Sequence, residues 1–449
     1  MQLFEHQIKA LNLTKFSNKV AYYLDMGLGK TFVGAEKMMQ LGSKVNLVVC
    51  QKSKVQDWVD HFERYYANRL IFEYWWIYDL TDKKELQDFL VVIQKSLKPR
   101  ETVVGVINYD LIFRRPQFKQ LQDFTLMLDE SSLIQNDKAK RSKFILDMNP
   151  ANVILLSGTP TSGKYENLWT QLHLLGWTIS QDTYNKQYIN WKNIEVGGFI
   201  HKIVNKDDPY KNVDRLKMKM REHGAVFMKT EECFDLPEQT FIPVTVETTK
   251  EYRKFKKDSI ITIAPIKVGD KEVELVGDTT LSKMLYLRML CGQYNVNKLQ
   301  SFLDLVQSTQ DRLIVFYNFN EELNQLKYIA ETLERPVSEV NGHVKDLDAY
   351  EHEDDSITFV QYQAGAMGLN LQKANKIIYF TLPLLSEHFE QSKKRIHRIG
   401  QTNPCFYYLM ICKGSVEEEI LQTLEMRKDY TDELFRTNNL WYKDCKRYT

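Results

Sequence analysis

Two glycines, a lysine and a threonine near the N-terminus have the types and the spacing that bind a phosphate group. The stretch Gly27-Leu28-Gly29-Lys30-Thr31 comes just before a predicted helix over Phe32–Leu41. Glycines let the backbone wrap an anion because they lack a Cβ, and free N–H groups at the helix start donate to it. In such a loop the lysine binds the β- and γ-phosphates and the threonine hydroxyl binds Mg²⁺. Leu24 stands where the full pattern has a third glycine, so a glycine-rich helix cap stays open as the alternative.

An acidic pair further along the chain has the types needed for metal binding and for proton transfer. The apolar run Phe124–Leu128 predicts a buried strand that ends in Asp129 and Glu130. Ligands of open α/β sheets bind at the carboxyl ends of strands. There Asp129 can hold Mg²⁺, and Glu130 can orient and deprotonate a water molecule. Two solvated acids in a turn are the alternative, and the phosphate-binding loop upstream favours catalysis.

Two further motifs carry groups that can reach a γ-phosphate. Ser157-Gly158-Thr159-Pro160 follows a predicted strand, and its hydroxyls can contact the phosphate or Glu130, with plain turn chemistry as the alternative. Gln391, Arg395 and Arg398 project from one face of a helix predicted over Ser386–Ile399. We expect the two arginines to reach across a cleft to the γ-phosphate, where such a group contributes about 10³ to 10⁵ in rate. A basic surface helix is the alternative.

The elements that position these residues alternate between strand and helix in both halves of the chain. Such alternation predicts an α/β fold in which parallel sheets are covered by helices on both faces. Leu236-Pro237 interrupts the pattern, so we predict two domains, residues 1–238 and 239–449. The segment Trp177–Tyr210 has no clear period and is predicted to be peripheral.

Composition excludes several classes of protein. Among the 449 residues, 43% are apolar and 27% charged, as in ordinary globular proteins. Six scattered cysteines without a Cys-x-x-Cys pair argue against a zinc ribbon or a disulfide scaffold and favour a reducing, cytoplasmic setting. The sequence has no signal-peptide core and no apolar run of bilayer length, so we expect no membrane partner. The net charge of +1 means that any nucleic-acid surface must be local.

Taken in order, these motifs resemble those of the Swi/Snf-type ATPases of helicase superfamily two. The resemblance also includes Gln363-Ala-Gly-Ala-Met-Gly-Leu-Asn-Leu371 and Arg395-Ile-His-Arg-Ile-Gly-Gln401, and the second of these is specific to that branch. It extends over nearly the whole chain. The compact sequence is similar to bacterial or phage members of the family, which would place a phage protein in the host cytoplasm.

The resemblance implies two RecA-like P-loop domains with ATP in the interdomain cleft, Mg²⁺ as cofactor and duplex DNA running across both domains. The hydrolysis residues would be Lys30, Glu130, Arg395 and Arg398, the arginines acting as fingers. The nucleotide-binding residues would be Gln7 on the adenine and Gly27, Leu28, Gly29, Lys30, Thr31, Asp129, Gly368 and Gln391, with Thr31 and Asp129 on the metal. The DNA contacts would be Lys52, Ser53 and Asn370.

The sequence departs from the family pattern at the acidic motif. It has Asp129-Glu130-Ser131-Ser132, where the family usually has Asp-Glu-Ala-His or Asp-Glu-Ala-Gln. Hydrolysis is expected to survive, because both acids are present. Ser132 replaces a residue that couples hydrolysis to movement, so the coupling is open.

Three functions follow as hypotheses. The main one is a DNA-stimulated ATPase that moves on duplex DNA and remodels it or displaces bound proteins. A single-strand or RNA helicase is disfavoured by the run Arg395–Gln401. A non-motor protein that binds DNA or a partner and uses ATP as a switch is supported by Ser132. The sequence identifies no recruiting protein.

Overall fold

The computed structural model describes residues 2–67, 74–95, 97–263, 272–363 and 369–435. These residues form two compact units. Unit 1 runs to Cys233 and takes up the chain again from Asp429, and unit 2 comprises Phe234–Lys428. The domain boundary predicted from the sequence lies a few residues after Cys233. That prediction placed the C-terminal residues in the second domain. Leu434 and Phe435 are apolar and pack in the core of unit 1, where they are fully or almost fully buried.

Unit 1 is built on a seven-stranded parallel sheet with the strand order β3-β4-β2-β5-β6-β1-β9. Its strands are β1 Lys19–Leu24, β2 Val45–Cys50, β3 Tyr74–Asp79, β4 Glu101–Asn108, β5 Thr125–Asp129, β6 Asn152–Ser157 and β9 Ala225–Met228. A separate antiparallel hairpin consists of β7 Trp191–Val196 and β8 Phe199–Val204. The helices are α1 Glu5–Leu13, α2 Lys30–Leu41, α3 Val55–Tyr65, α4 Lys83–Gln94, α5 Tyr109–Ile112, α6 Lys140–Leu146, α7 Trp169–Leu174, α8 Gln181–Tyr188 and α9 Val213–Glu222.

Both faces of this sheet are covered. In β5, the successive side chains of Leu126, Met127 and Leu128 are all fully buried although they point to opposite faces. Helix α2 packs closely on the Met127 face, since a Cβ on Gly34 would lie 2.9 Å from the Met127 sulfur. Strands buried on both faces are continuous apolar runs, which is why the sequence revealed them.

Unit 2 is built on a second seven-stranded sheet, with the order β10-β18-β17-β13-β16-β14-β15. All neighbouring strands are parallel except β14 and β15. The strands are β10 Gln239–Val246, β13 Leu313–Tyr317, β14 Val337–Val340, β15 Lys345–Asp346, β16 Ile357–Gln361, β17 Lys376–Tyr379 and β18 Cys405–Cys412, and β11 Ile260–Ile263 pairs with β12 Val273–Val276. The helices are α10 Lys250–Asp258, α11 Thr280–Cys291, α12 Val296–Gln307, α13 Asn320–Thr332, α14 Asp348–His352, α15 Ser386–Lys393 and α16 Val416–Phe435.

The two faces of the second sheet belong to two different apolar clusters. Ile314 and Phe316 of β13 pack in one cluster with residues of α11 and α15. Leu313 and Val315 of the same strand pack in the other with residues of α12 and α13. The predicted fold class, parallel sheets covered on both faces, is therefore confirmed for each unit.

One predicted helix is shorter than expected. The sequence predicted a helix over Ser386–Ile399, whereas α15 ends at Lys393 and turns follow. The carbonyl of Arg395 accepts a hydrogen bond from the amide of Leu371 at 3.1 Å instead of continuing an α-helical ladder. The prediction that one helix carries Gln391, Arg395 and Arg398 is therefore wrong, because both arginines lie in the turns after α15.

Among the described residues, no helix combines the length and the apolarity that crossing a bilayer needs.

Candidate nucleotide-binding site in unit 1

Three of the predicted motifs follow three neighbouring strands of the first sheet. Strands β5, β6 and β1 lie side by side in parallel. Their carboxyl ends carry the acidic pair, the Ser157–Pro160 turn and the glycine-rich loop, in that order. Because parallel strands end at the same edge of a sheet, the fold brings together motifs that are far apart in sequence.

The glycine-rich loop has a backbone that favours glycine at two positions. Gly27 has φ of 90° and Gly29 has φ of 73°, both in the left-handed region. Helix α2 begins directly after the loop, at Lys30. A Cβ added at Gly29 would also collide with the side-chain nitrogen of Gln7. The loop therefore presents the N-terminus of a twelve-residue helix, an arrangement that binds anions.

Helix α1 lies against this loop through His6 and Gln7. The Gln7 side chain is 3% exposed, and its Nε2 donates to the carbonyl of Leu28 at 3.2 Å. Its Oε1 accepts from the amide of Phe4 at 2.9 Å. The His6 Nε2 is also 2.9 Å from the Leu28 carbonyl oxygen. The structure thus places the residue predicted to bind adenine beside the predicted phosphate-binding loop.

Lys30 connects the loop with the turn after β6. Its ammonium group donates to the Leu24 carbonyl at 3.1 Å. A Cβ added at Gly158 would lie 3.2 Å from the Lys30 nitrogen. The lysine therefore lies between the glycine-rich loop and the Ser157–Pro160 turn, and a side chain at position 158 would crowd it.

The carboxylate of Asp129 is held from two directions. Its Oδ2 accepts a hydrogen bond from the indole Nε1 of Trp58 at 2.9 Å, and its Oδ1 accepts from the amide of Glu130 at 3.1 Å. Burial raises the pKa of Asp129, while the Trp58 hydrogen bond and the charge of Lys30 oppose the rise. Trp58 is itself 2% exposed and packs against His61 and Phe62.

Glu130 adopts a backbone conformation that is uncommon for a side chain with a Cβ. Its φ is 51° and its ψ is 59°, in the left-handed region. Strain of this kind costs about 1–3 kcal/mol and persists only where the surroundings enforce it. Tyr109 Oη donates to the carbonyl of Asp129 at 2.9 Å, and Ser157 Oγ donates to Glu130 Oε2 at 3.3 Å. Both bonds fix the acidic pair relative to its neighbours.

A buried glutamine connects strand β1, the acidic motif and the Ser157–Pro160 turn. Gln171 of α7 is fully buried. Its Oε1 accepts from Ser131 Oγ at 2.7 Å and from Tyr23 Oη at 3.0 Å, and its Nε2 donates to the carbonyl of Pro160 at 2.7 Å. One side chain thus contacts β1, the acidic motif and the turn after β6. The neighbouring Ser132 is buried, and its hydroxyl has no hydrogen-bond partner within the described part of the chain.

The sequence did not reveal Trp58 or Gln171 as part of the site. Trp58 fits the apolar spacing of its helix, and Gln171 lies in the mixed polar and apolar run Trp169–Leu174, so neither pattern indicates a polar contact. Their partners lie 71 and 40 residues away in sequence. The one available signal is that Gln171 is three residues after Leu168 and four before Leu175, on the apolar face of its helix, where a polar side chain requires hydrogen-bond partners.

The predicted DNA contacts of unit 1 are exposed. Lys52 and Ser53 form a short 3-10 turn, Lys52–Lys54, directly after β2. Strand β2 is the neighbour of β5 on the side away from β6. The turn therefore lies at the same edge of the sheet as the acidic pair.

The predicted residues of unit 2 have contacts within that unit. Arg395 is 3% exposed, and its Nη1 donates to the carbonyl of Leu369 at 3.3 Å. Arg398 is partly exposed, and burial lowers its pKa. Gln391 is buried and donates to Glu387 Oε1 at 3.1 Å. Asn370 is exposed, and Gly368 lies outside the described residues.

The donor set of unit 1 fits a magnesium nucleotide. The Thr31 hydroxyl and the Asp129 carboxylate are hard oxygen ligands of the kind that Mg²⁺ prefers. The glycine-rich loop, the start of α2 and Lys30 form a cradle that a Cβ at Gly158 would crowd. The hydroxyl of Thr159 in the adjoining turn is buried without a partner among the described residues.

Comparison with known proteins agrees with this arrangement. Residues 23–296 match the SNF2-related domain, and residues 296–400 match the helicase conserved C-terminal domain. The first match alone covers more than half of the 449 residues. The chain belongs to the SNF2-related family. The resemblance stated from the sequence motifs is therefore confirmed.

Individual members of the SNF2-related family are distant in sequence. The mouse SWI/SNF-related matrix-associated actin-dependent regulator of chromatin subfamily A member 1 is 23% identical over 95% of this chain and 42% of its own length. The putative ATP-dependent helicase/translocase YwqA of Bacillus subtilis is 23% identical over 70% of this chain and 36% of its own length. The chain thus spans well under half of these two relatives. A solved Sulfolobus solfataricus SWI2/SNF2 ATPase core in complex with dsDNA is 18% identical over 96% of this chain and 92% of its own, with a TM-score of 0.43.

Proposed function

We propose that this SNF2-related chain hydrolyses ATP and uses the free energy to move on duplex DNA, remodelling it or displacing bound proteins. The observation that carries the proposal is the meeting of three motifs at one sheet edge, with Lys30 against Gly158 and the acidic pair two strands away from the loop. A relative described as an ATP-dependent helicase/translocase supports the same activity.

The binding roles follow from the chemistry of each group. Backbone N–H groups of Gly27, Leu28 and Gly29 bind phosphate oxygens, and Lys30 neutralises charge on the β- and γ-phosphates. Thr31 and Asp129 hold Mg²⁺, which neutralises charge on the phosphate oxygens when bound. Gln7, which is fixed by its contacts with Leu28 and Phe4, binds the adenine.

Glu130 is the proposed general base. Its Oε2 accepts a proton as a water molecule attacks the γ-phosphate, and the bond from Ser157 keeps the carboxylate aligned. The strained backbone at Glu130 supports this role, because residues in the left-handed region cluster at functional sites.

Four residues of unit 2 complete the proposed nucleotide-binding set on the strength of the family resemblance. Arg395 and Arg398 act as arginine fingers that oppose charge on the transferred phosphate. Gln391 and Gly368 contribute to nucleotide binding.

Lys52 and Ser53 of unit 1 and Asn370 of unit 2 are proposed to contact the DNA, in keeping with their exposure.

We also propose a cytoplasmic location. Cys50, Cys233, Cys291, Cys405 and Cys412 are free thiols in the structure, as is usual in a reducing compartment.

A switch that binds ATP without movement is the second candidate. The observation that favours it is Ser132, whose buried hydroxyl lacks a partner among the described residues. In the family this position couples hydrolysis to movement. The hydrogen bonds of Gln171 favour the motor instead. They connect the acidic motif with the Pro160 turn through a side chain other than that of Ser132.

The test is displacement of the third strand from a DNA triplex, which reports movement along a duplex without strand separation. We expect ATP-dependent displacement by the wild type and none by Lys30→Ala or Glu130→Gln. DNA-stimulated hydrolysis without displacement would support the switch, and displacement by Lys30→Ala would contradict the assignment of the site.

A further inference from the structure

The β7–β8 hairpin is a separate two-stranded element of unit 1 that carries none of the candidate nucleotide-binding residues. Its two six-residue strands pair from Trp191 with Val204 to Val196 with Phe199. Only Gly197 and Gly198 connect them, both with positive φ, as in a type I′ turn. At about 3.3 Å per residue, the tip lies roughly 20 Å from the base.

The base of the hairpin is fixed to the segment that follows the Ser157–Pro160 turn. Trp191 and Val204 pack against the core of unit 1. Beyond the hairpin, Tyr210 stacks on Tyr165 with ring centroids 4.2 Å apart. The Tyr210 hydroxyl donates to Glu166 Oε2 at 3.0 Å. The segment after the hairpin thus contacts Tyr165 and Glu166, which follow Pro160 by five and six residues.

The tip is apolar and exposed. Phe199 is 73% and Ile200 is 76% exposed. Successive residues of a strand point to opposite faces, so the tip carries a large apolar side chain on each face. A Cβ added at Gly197 or Gly198 would have no neighbour within 4 Å. The end of the hairpin is therefore narrow, apolar and free to enter a groove.

Positive groups line the strands behind the tip. Cross-strand pairing puts Lys192, Ile194, Phe199 and His201 on one face. Lys202 lies on the other face with Glu195, the only carboxylate of the hairpin. The face that carries Phe199 has a lysine and no carboxylate, so it complements an anionic partner. Lysines on the two strand edges also disfavour pairing with a strand of another protein.

We propose that the β7–β8 hairpin is a contact for duplex DNA, in which Phe199 and Ile200 enter between base steps while Lys192 and Lys202 bind phosphates. Apolar side chains inserted in this way partly unstack and bend DNA. The proposal rests on the proposed function, because it requires duplex DNA as the partner. It gives unit 1 a DNA contact beyond Lys52 and Ser53.

The test compares a tip variant with a matched control in the full chain. The tip variant combines Phe199→Ser and Ile200→Ser, and the control combines Asn193→Ala and Glu195→Gln on the face without Phe199. All four side chains are exposed, so unchanged thermal melting should confirm that both variants fold. The probe is a duplex with 2-aminopurine, whose fluorescence increases when it is unstacked, in titrations at several salt concentrations.

We expect the wild type to raise the fluorescence, and the tip variant to lose most of this rise and to bind the duplex about tenfold more weakly. Hydrolysis without DNA should be unchanged in both variants. Lys192→Ala should lower the slope of log affinity against log salt by about one. The control should raise the fluorescence as the wild type does and should bind the duplex at least as tightly, because Glu195→Gln removes a negative charge from the hairpin.

Each other outcome overturns the proposal in a recognisable way. If DNA binds and stimulates the wild type but the tip variant keeps its affinity and fluorescence, the hairpin proposal fails alone. If the wild type neither binds DNA nor responds to it, the proposed function fails as well. If the tip variant changes only the oligomeric state in light scattering, the hairpin binds a second copy of the chain instead.

Discussion

The indole Nε1 of Trp58 donates a 2.9 Å hydrogen bond to Oδ2 of Asp129, the carboxylate proposed to bind Mg²⁺. Trp58 is almost completely buried, whereas Asp129, at the end of β5, is partly exposed. The bond directs one carboxylate oxygen to helix α3 and opposes the rise in pKa that burial causes. Trp58 is therefore a positioning residue for the metal site.

Trp58→Phe should weaken magnesium use more than nucleotide binding. Losing a hydrogen bond to a charged group costs about 1.5–3 kcal/mol, so we expect at least a tenfold higher Mg²⁺ requirement. Without the indole, the pKa of Asp129 should rise further, and the acidic limb of the pH–rate profile should move to higher pH. Trp75→Phe is the control, because Trp75 packs in the same aromatic cluster. An unchanged Mg²⁺ requirement and pH profile in Trp58→Phe would contradict the positioning role.

Gln171→Leu should uncouple the motifs that this side chain joins. The substitution leaves Ser131 Oγ and the Pro160 carbonyl without their present partner, at about 1–3 kcal/mol for each buried group. We expect a lower thermal midpoint and a loss of DNA stimulation, with ATP affinity retained in a fluorescent-nucleotide assay.

Thr170→Val is the matched control for Gln171, on the same helix. The Thr170 hydroxyl is buried without a hydrogen-bond partner in the described ranges, so its removal should be neutral. Full DNA stimulation in Gln171→Leu would show that the network is only structural.

The two proposed arginine fingers should differ when substituted. Arg398→Ala should keep ATP binding and lose about 10³ in turnover, since the group acts on charge that develops during transfer. Arg395→Ala should in addition lower the stability of unit 2, because Arg395 is buried and donates to the Leu369 carbonyl. Urea unfolding and single-turnover hydrolysis separate these effects. Weaker ATP binding with an intact rate in Arg398→Ala would contradict the finger role.

Glu322 should make the stability of unit 2 depend on pH. Burial raises its pKa to about 7, against bonds from the amides of Asn318 and Phe319 and from Thr381. Because the folded state favours the protonated form, the contribution of Glu322 to the free energy of unfolding is fully present below about pH 4.3. It is lost as the pH rises to 7. The change is about 3 kcal/mol.

The variant Glu322→Gln should remove that dependence. Urea unfolding at pH 5 and pH 8 should show a smaller difference in Glu322→Gln than in the wild type. Glu321→Gln, a partly exposed neighbour on α13, is the control and should retain the wild-type difference. Equal differences in all three proteins would mean that Glu322 titrates normally.

The sequence predicted most of the elements, because buried parallel strands are continuous apolar runs. The helix predicted over Phe32–Leu41 begins two residues earlier, at Lys30, and the strand predicted over Phe124–Leu128 is displaced by one residue, to Thr125–Asp129. The elements predicted from the sequence did not include strand β1, Lys19–Leu24, which ends directly before the glycine-rich loop. The β7–β8 hairpin was missed because its polar and aromatic residues have no clear period.

The contacts that align the site could not be predicted in the same way. The proximity of Gln7 to the loop depends on where α1 packs, and the early end of α15 depends on the bond between Leu371 and Arg395. Each of these joins residues that are distant in sequence, whereas periodicity reports only local structure.

The most direct test of the central claim is steady-state ATP hydrolysis by the purified chain alone, with duplex DNA, with single-stranded DNA and with RNA. Glu130→Gln serves as the inactive control, since it removes the proposed base and keeps the size of the side chain. We expect strong stimulation by duplex DNA and little by the other two nucleic acids. Hydrolysis that is indifferent to every nucleic acid, or that persists in Glu130→Gln, would contradict the proposed function.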